Sequence, residues 1–131
     1  MLIGGGEERV PRTEVVLYAE AGGSCPVLDW LDRQHPKVQD KCLVRIERLA
    51  ELGHELRRPE ADTLRDGIHE LRVSHRRVQY RILYFFHGGS AVLAQGIVKE
   101  AKVPDTDIER AKARRDNYVA IPQSHTHRGS V

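Results

Sequence analysis

Cysteine is scarce in this 131-residue sequence: Cys25 and Cys42 stand 17 positions apart, with no C-x-x-C or Cys/His pattern around them. That excludes the familiar zinc and dithiol motifs. The two side chains read as free thiols partly buried on helices, as in a reducing cytosol, and a Cys25–Cys42 disulfide is the other arrangement the sequence allows. Long apolar runs are also lacking. No window approaches the roughly 18–20 apolar residues of a membrane span. Residues 1–12 hold three glycines and mixed charge instead of a signal peptide's apolar stretch. A cytoplasmic protein without membrane contact is expected. The seven histidines form neither H-E-x-x-H nor a His/Cys cluster, so neither a metal nor a cofactor is expected.

No charge sign dominates, since the formal net charge is +2. Its distribution is uneven. Residues 1–63 carry 9 Lys/Arg against 12 Asp/Glu, a balance of −3, whereas residues 64–131 carry 12 against 7, a balance of +5. Such asymmetry fits a polyanionic partner and is also met in ordinary solvated surfaces.

The length suits one domain. Residues 1–13 read as a flexible lead-in, 14–120 as the domain, and 121–131 as a disordered tail. Glu14 to Ala19 is short and rich in β-formers, which predicts a strand. After Gly22-Gly23, Ser24 is a plausible N-cap and Pro26 suits a first helical turn, with Val27, Leu28, Trp30 and Leu31 supplying an apolar face. A second helix is predicted over Lys37–Leu52. Val38, Cys42, Ile46 and Leu49 recur at helical spacing, Asp40, Lys41, Arg45, Glu47, Arg48 and Glu51 fill the remaining arc, and Gly53 ends it. Residues 53–66 look polar and irregular. The period then becomes alternating, giving strands over Ile68–Ser74, Arg77–Phe86 and Ala91–Lys99, before a final helix over Thr106–Tyr118 with a thin apolar stripe. The expected fold class is α+β: an antiparallel meander of three C-terminal strands plus an N-terminal strand, packed on a helix pair, with a C-terminal helix.

Alternation separates two faces. Val78, Tyr80, Ile82 and Tyr84 share one face with Leu71 and Val73, and the other carries Glu70, Arg72, Ser74, Arg77, Gln79 and Arg81. A two-residue His75-Arg76 turn would set Ser74 opposite Arg77, Arg72 opposite Gln79 and Glu70 opposite Arg81. His75-Arg76 is poor chemistry for such a turn, and a longer loop of the same parity fits equally. Arg72, Arg77 and Arg81 then cluster with Glu70, and Lys99 and Lys102 follow the next strand. Arginines around one carboxylate suit a phosphodiester, because a guanidinium binds phosphate oxygens and stabilises charge growing in the transition state. The same pattern is also that of a solvated sheet face with a cross-strand Glu70–Arg81 ion pair, worth about a few tenths of a kcal/mol. His69 points to the apolar face. His87, on the arginine side but far along its strand, is either a surface side chain at a turn or an acid or base near neutral pH.

The run Leu64-Arg65-Asp66-Gly67-Ile68-His69-Glu70-Leu71-Arg72, continued by Tyr80-Arg81-Ile82-Leu83-Tyr84-Phe85-Phe86, resembles the HigB-like branch of the RelE/ParE toxins. Gly96-Ile97-Val98-Lys99, Pro104, Ile108, Ala111 and Arg114-Arg115 continue the pattern in order, so the resemblance covers about residues 64–118. It implies a RelE-like fold and a metal-independent, ribosome-dependent messenger RNA endonuclease. It also implies neutralisation by a helix-turn-helix, HigA-like antitoxin, with operator DNA bound only through the toxin–antitoxin complex. Arg72, Arg81 and Lys99 match the family's motif, Arg77 looks like the arginine used at the scissile phosphate, and Tyr118 lies nearest the family's C-terminal catalytic position. Together with Glu70 and His87 from the polar face, the candidate catalytic set is Arg72, Arg77, Arg81, Lys99, Glu70 and His87, and Arg76, Lys102, Arg114, Arg115 and Tyr118 are expected to contact RNA. Two alternatives share the scaffold: a ParE-type inhibitor of DNA gyrase and a non-catalytic, phage-derived binding protein.

Overall fold

A computed structural model describes residues 12–99 and 101–129. Most of the expected lead-in therefore lies outside the described residues. Its last two residues are tied down: Thr13 N–H donates to Ala50 O at 2.7 Å, and Arg12 pairs with Glu47.

The β-formers after Thr13 make β1 (Glu14–Leu17). Pro26 sits in the first turn of α1 (Pro26–Asp32), which buries Val27, Trp30 and Leu31; the residue before it, Cys25, takes the N-cap place in lieu of Ser24. α2 (Pro36–Leu52) starts where the His35 ring accepts a hydrogen bond from Lys37 N–H and stops at Gly53, whose φ of 54° suits glycine. Four further strands follow: β2 (Ala61–Arg65), β3 (Ile68–His75), β4 (Val78–His87) and β5 (Ser90–Val98). The chain closes with α3 (Asp105–Ala120), whose first turn carries Asp105 and Asp107, charges that favour a helix N-terminus.

The sheet has five strands in the order β1-β5-β4-β3-β2, with β2 to β5 an antiparallel meander and β1 parallel to β5. The α+β class holds, and β2 is the addition. Ala61-Asp62-Thr63-Leu64-Arg65 has little β-propensity, and it forms because the outer edge of β3 offers it a hydrogen-bonding partner. Its charged residues suit an edge strand.

Two apolar layers sandwich the sheet. On one side Leu71, Val73, Ile82, Tyr84 and Leu93 pack against Val27, Trp30, Val38, Cys42 and Leu49 of the helix pair. Burying each such side chain contributes about 1.5–3 kcal/mol. Cys25 and Cys42 are buried free thiols, and burial raises the Cys42 thiol to about 11. Gly96 lies under Trp30, where a β-carbon would overlap the indole ring. On the other side α3 lays Ile108, Ala111 and Tyr118 over Ile68, Leu83, Phe85 and Val92. The face expected to stay wet is thus half covered. Its thin stripe suffices because a bulge in β5, where Leu83 faces Gln95 but Tyr84 faces Leu93, turns Ala94 to the α3 side as well.

The segment expected to be a disordered tail folds back on the sheet over its described part. Pro122–Ser124 form a 3-10 turn, Thr126 bridges Tyr18, and the His125 ring stacks on Tyr18 at 5.3 Å. No helix among the described residues is long and apolar enough to cross a membrane.

Candidate functional site

The β3–β4 hairpin sets the site's geometry. Its closing pair is His75 and Val78, so the turn is Arg76-Arg77, with φ of 52° and 69°. Positive φ at both central residues is what a tight hairpin requires, and the arginines adopt it without glycine's ease. The register is therefore shifted by two residues from the His75-Arg76 turn, with parity unchanged. Arg72 lies opposite Arg81, Ser74 opposite Gln79 and Glu70 opposite Leu83.

This placement gathers some of the expected residues and separates others. Arg72 and Arg81 are cross-strand neighbours on the face that α3 leaves open. Both reach back to Glu70, which is 1% exposed. Arg72 Nε donates to Glu70 Oε2 at 2.9 Å, and a terminal nitrogen of Arg81 lies 3.4 Å from Glu70 Oε1. Two guanidinium groups so close would repel, and the carboxylate between them offsets that repulsion. Glu70 is buried beneath both guanidinium groups and holds them side by side. Arg81 has a side chain only 11% exposed, and its Nε–H is buried without a hydrogen-bond partner, as is Glu70 Oε1.

Arg77 is an exposed turn residue at the hairpin tip beside Arg76, apart from the Arg72/Arg81 pair. Lys99 follows β5 two residues beyond Ile97, the partner of Arg81, and its amide donates to Gln79 O at 3.0 Å. Lys99 and Lys102 are exposed. His87 stands six residues along β4 from Arg81, about 20 Å at the rise of an extended strand. There its ring meets Tyr118 edge-on at 5.6 Å. Tyr118 is buried against Phe85 in the second core, which removes it from the surface. The α3 arginines are engaged internally: Arg114 with Gln95 at 2.8 Å and Glu20 at 3.3 Å, and Arg115 with the Asp66 carbonyl.

The open side of Arg72 and Arg81 faces a groove of about 800 Å³ at the outer edge of β3, beyond the end of β2. Its other wall is α2, through Asp40, Lys41, Val44 and Arg45, and Glu60 and Pro59 close one end. Arg48 holds Glu60 with two hydrogen bonds of 3.0 and 3.1 Å, and that pairing lowers the Glu60 carboxyl below its ordinary range. Lys41 and Arg45 belong to the polar arc of α2, which in the sequence reads as solvent-facing. Their nearness to β3 is a tertiary fact with no sequence signal beyond two cations four positions apart. Among the described residues, no three His, Cys, Asp or Glu side chains gather as a metal site would need.

Residues 29–116 match the family described as "Phage derived protein Gp49-like (DUF891)". No curated protein matches the chain.

Proposed function

Since the chain belongs to this phage-derived Gp49-like family, a toxin-like family of toxin–antitoxin systems, we propose that it is a toxin of RelE-like fold that cuts messenger RNA on the ribosome. A helix-turn-helix antitoxin of the HigA type would neutralise it by covering the arginine face. The family membership supports the toxin class, and one observation carries the chemistry: Arg72 and Arg81 converge on a single buried carboxylate at the wall of an open groove.

In the proposed reaction the ribose 2′-OH attacks its own phosphorus and the P–O5′ bond breaks. The products are a 2′,3′-cyclic phosphate and a 5′-OH, the proton leaving O2′ for a base while an acid protonates O5′. Negative charge accumulates on the non-bridging oxygens. Two guanidinium groups held side by side stabilise that charge, and removal of one such donor typically costs about 10²–10³ in rate.

Expression followed by primer extension on messenger RNA, with and without ribosomes, tests the reading. The wild type should arrest growth, stop translation and leave ribosome-dependent cuts. Arg72→Ala and Arg81→Ala should each lower cleavage by about 10²-fold or more while near-UV circular dichroism stays native. Cuts that persist at full rate in the folded Arg72/Arg81 double variant would refute the site. A DNA-damage response without RNA cleavage would point to gyrase inhibition, and growth without any arrest to a non-catalytic phage-derived binder.

A further inference from the structure

We propose that the α2 wall of this groove is a second phosphate subsite, in which Arg45 and Lys41 hold the backbone of single-stranded RNA next to the phosphate at Arg72 and Arg81. The inference deepens the ribonuclease reading and rests on it for the identity of the ligand.

Its first support is charge. Four cations, Lys41, Arg45, Arg72 and Arg81, line the groove against two carboxylates, Asp40 and Glu60. Of these carboxylates Glu60 is already bound by Arg48 at 3.0 Å. The second is that the arginine on each wall is only loosely tied to its carboxylate. Arg45 Nε is buried without a partner, its nearest carboxylate oxygen on Glu60 being 3.9 Å away. Arg81, on the opposite wall, meets Glu70 only through a terminal nitrogen at 3.4 Å. Arg48 meets the needs of Glu60, so Arg45 is not required to hold that carboxylate. Lys41 donates to Ser74 O at 3.0 Å, which sets its ammonium at the free edge of β3. The third is shape. A volume of about 800 Å³, open along one side, exceeds what one phosphate needs and suits a run of chain. Val44 and Pro59 supply apolar surface for ribose between the charged ends. Guanidinium on both walls offers a flexible strand more than one phosphate contact.

The test is fluorescence anisotropy with a labelled 2′-O-methyl RNA nonamer, which binds without being cleaved, titrated against salt. Lys41→Gln with Arg45→Gln should weaken binding at least tenfold. Each phosphate contact contributes about 0.7 to the slope of log K against log salt for a single strand, so the slope should become shallower by about 1 to 1.5. Arg33→Gln with Arg110→Gln removes the same charge from exposed positions elsewhere and should move affinity less than threefold. Equal loss in both double variants, or none in the α2 pair with its circular dichroism unchanged, would overturn the subsite. Cleavage run in parallel separates the two ideas. A wild type that binds the nonamer through Arg45 and Lys41 but cuts no messenger RNA keeps the subsite and loses the nuclease. A wild type that cuts normally and is indifferent to the α2 changes keeps the nuclease and loses the subsite. A wild type that neither binds nor cuts loses both.

Discussion

Glu70 shows how one residue's burial changes its role. Placed by alternation on a polar face, it looks like a reactive carboxylate; placed by packing, it is sealed beneath two guanidinium groups that it orients. Glu70→Gln keeps the shape and removes the charge. Breaking a buried ion pair is costly, and here Arg72 and Arg81 remain to repel each other, so urea denaturation should show a loss of about 2–4 kcal/mol. The readout that separates orientation from mere stability is a split. The site gains net positive charge, so RNA binding at low salt should hold or tighten, whereas cleavage by the folded variant should fall at least tenfold, about 1.4 kcal/mol of barrier. Cleavage at the wild-type rate would leave Glu70 a purely structural residue. A second side chain at this scale is His69, whose Nδ1 lies 3.0 Å from Thr63 Oγ1 and whose ring stacks on Tyr84. Burial, assisted by His54, pushes its pKa below the ordinary 6.5. The unfolded chain then binds the proton more readily than the native one. Stability is full above about pH 6.5 and declines as pH falls from there toward the depressed native value, by at most about 1.4 kcal/mol per pH unit for one group. His69→Gln should flatten that decline in urea midpoints measured between pH 7 and 5, and an unchanged profile would assign it to other groups.

At the scale of elements, the hairpin explains what alternation could and could not reveal. Sliding β3 against β4 by two residues leaves every side chain on its face, so the apolar pattern fits a His75-Arg76 turn and an Arg76-Arg77 turn equally well. Arg72 and Arg81 were legible because they share a face in either register, and Arg77 was misplaced because its strand membership depended on the choice. β2 was illegible for a different reason. Its residues have no strand preference of their own and acquire one from the β3 edge. The α2 wall required knowing which way a helix's polar arc turns relative to a sheet edge, which periodicity does not encode. The turn itself gives a sharp prediction. Arg76→Asn with Arg77→Gly installs residues that accept positive φ, and should raise stability by about 0.5–1 kcal/mol in urea. If Arg77 is only a turn residue, cleavage survives the change within a few fold. A loss of 10²-fold or more would restore Arg77 to the catalytic set despite its place at the hairpin tip.

For the molecule as a whole, charge in sequence and charge in space diverge. The basic second half of the chain neutralises itself around α3. Lys112 and Arg65 bind Asp66 at 2.9 and 2.7 Å, Arg65 also reaches Glu109 at 3.0 Å, and Arg114 meets Glu20 of the acidic half. At the β3 edge, Lys41 and Arg45 of α2 join Arg72 and Arg81, which share the Glu70 carboxylate. The opposite edge of the sheet is closed by the C-terminal segment. Ala19 N–H donates to His125 O and His127 N–H to Leu17 O, both at 2.8 Å, so β1 is not left as an open template for pairing. β1 and β3 are separated by β5 and β4, which puts about 14 Å of sheet between the two edges at the usual strand spacing. Deleting everything after Ile121 should therefore lower stability by about 1–3 kcal/mol, the net worth of two backbone hydrogen bonds and one stacked ring pair. It should also raise concentration-dependent association, read by light scattering, while the cleavage rate of the folded monomer stays within about twofold. A truncated chain that remains folded and monomeric but no longer cuts RNA would mean that the C-terminal segment, and not the β3 edge alone, reaches the substrate.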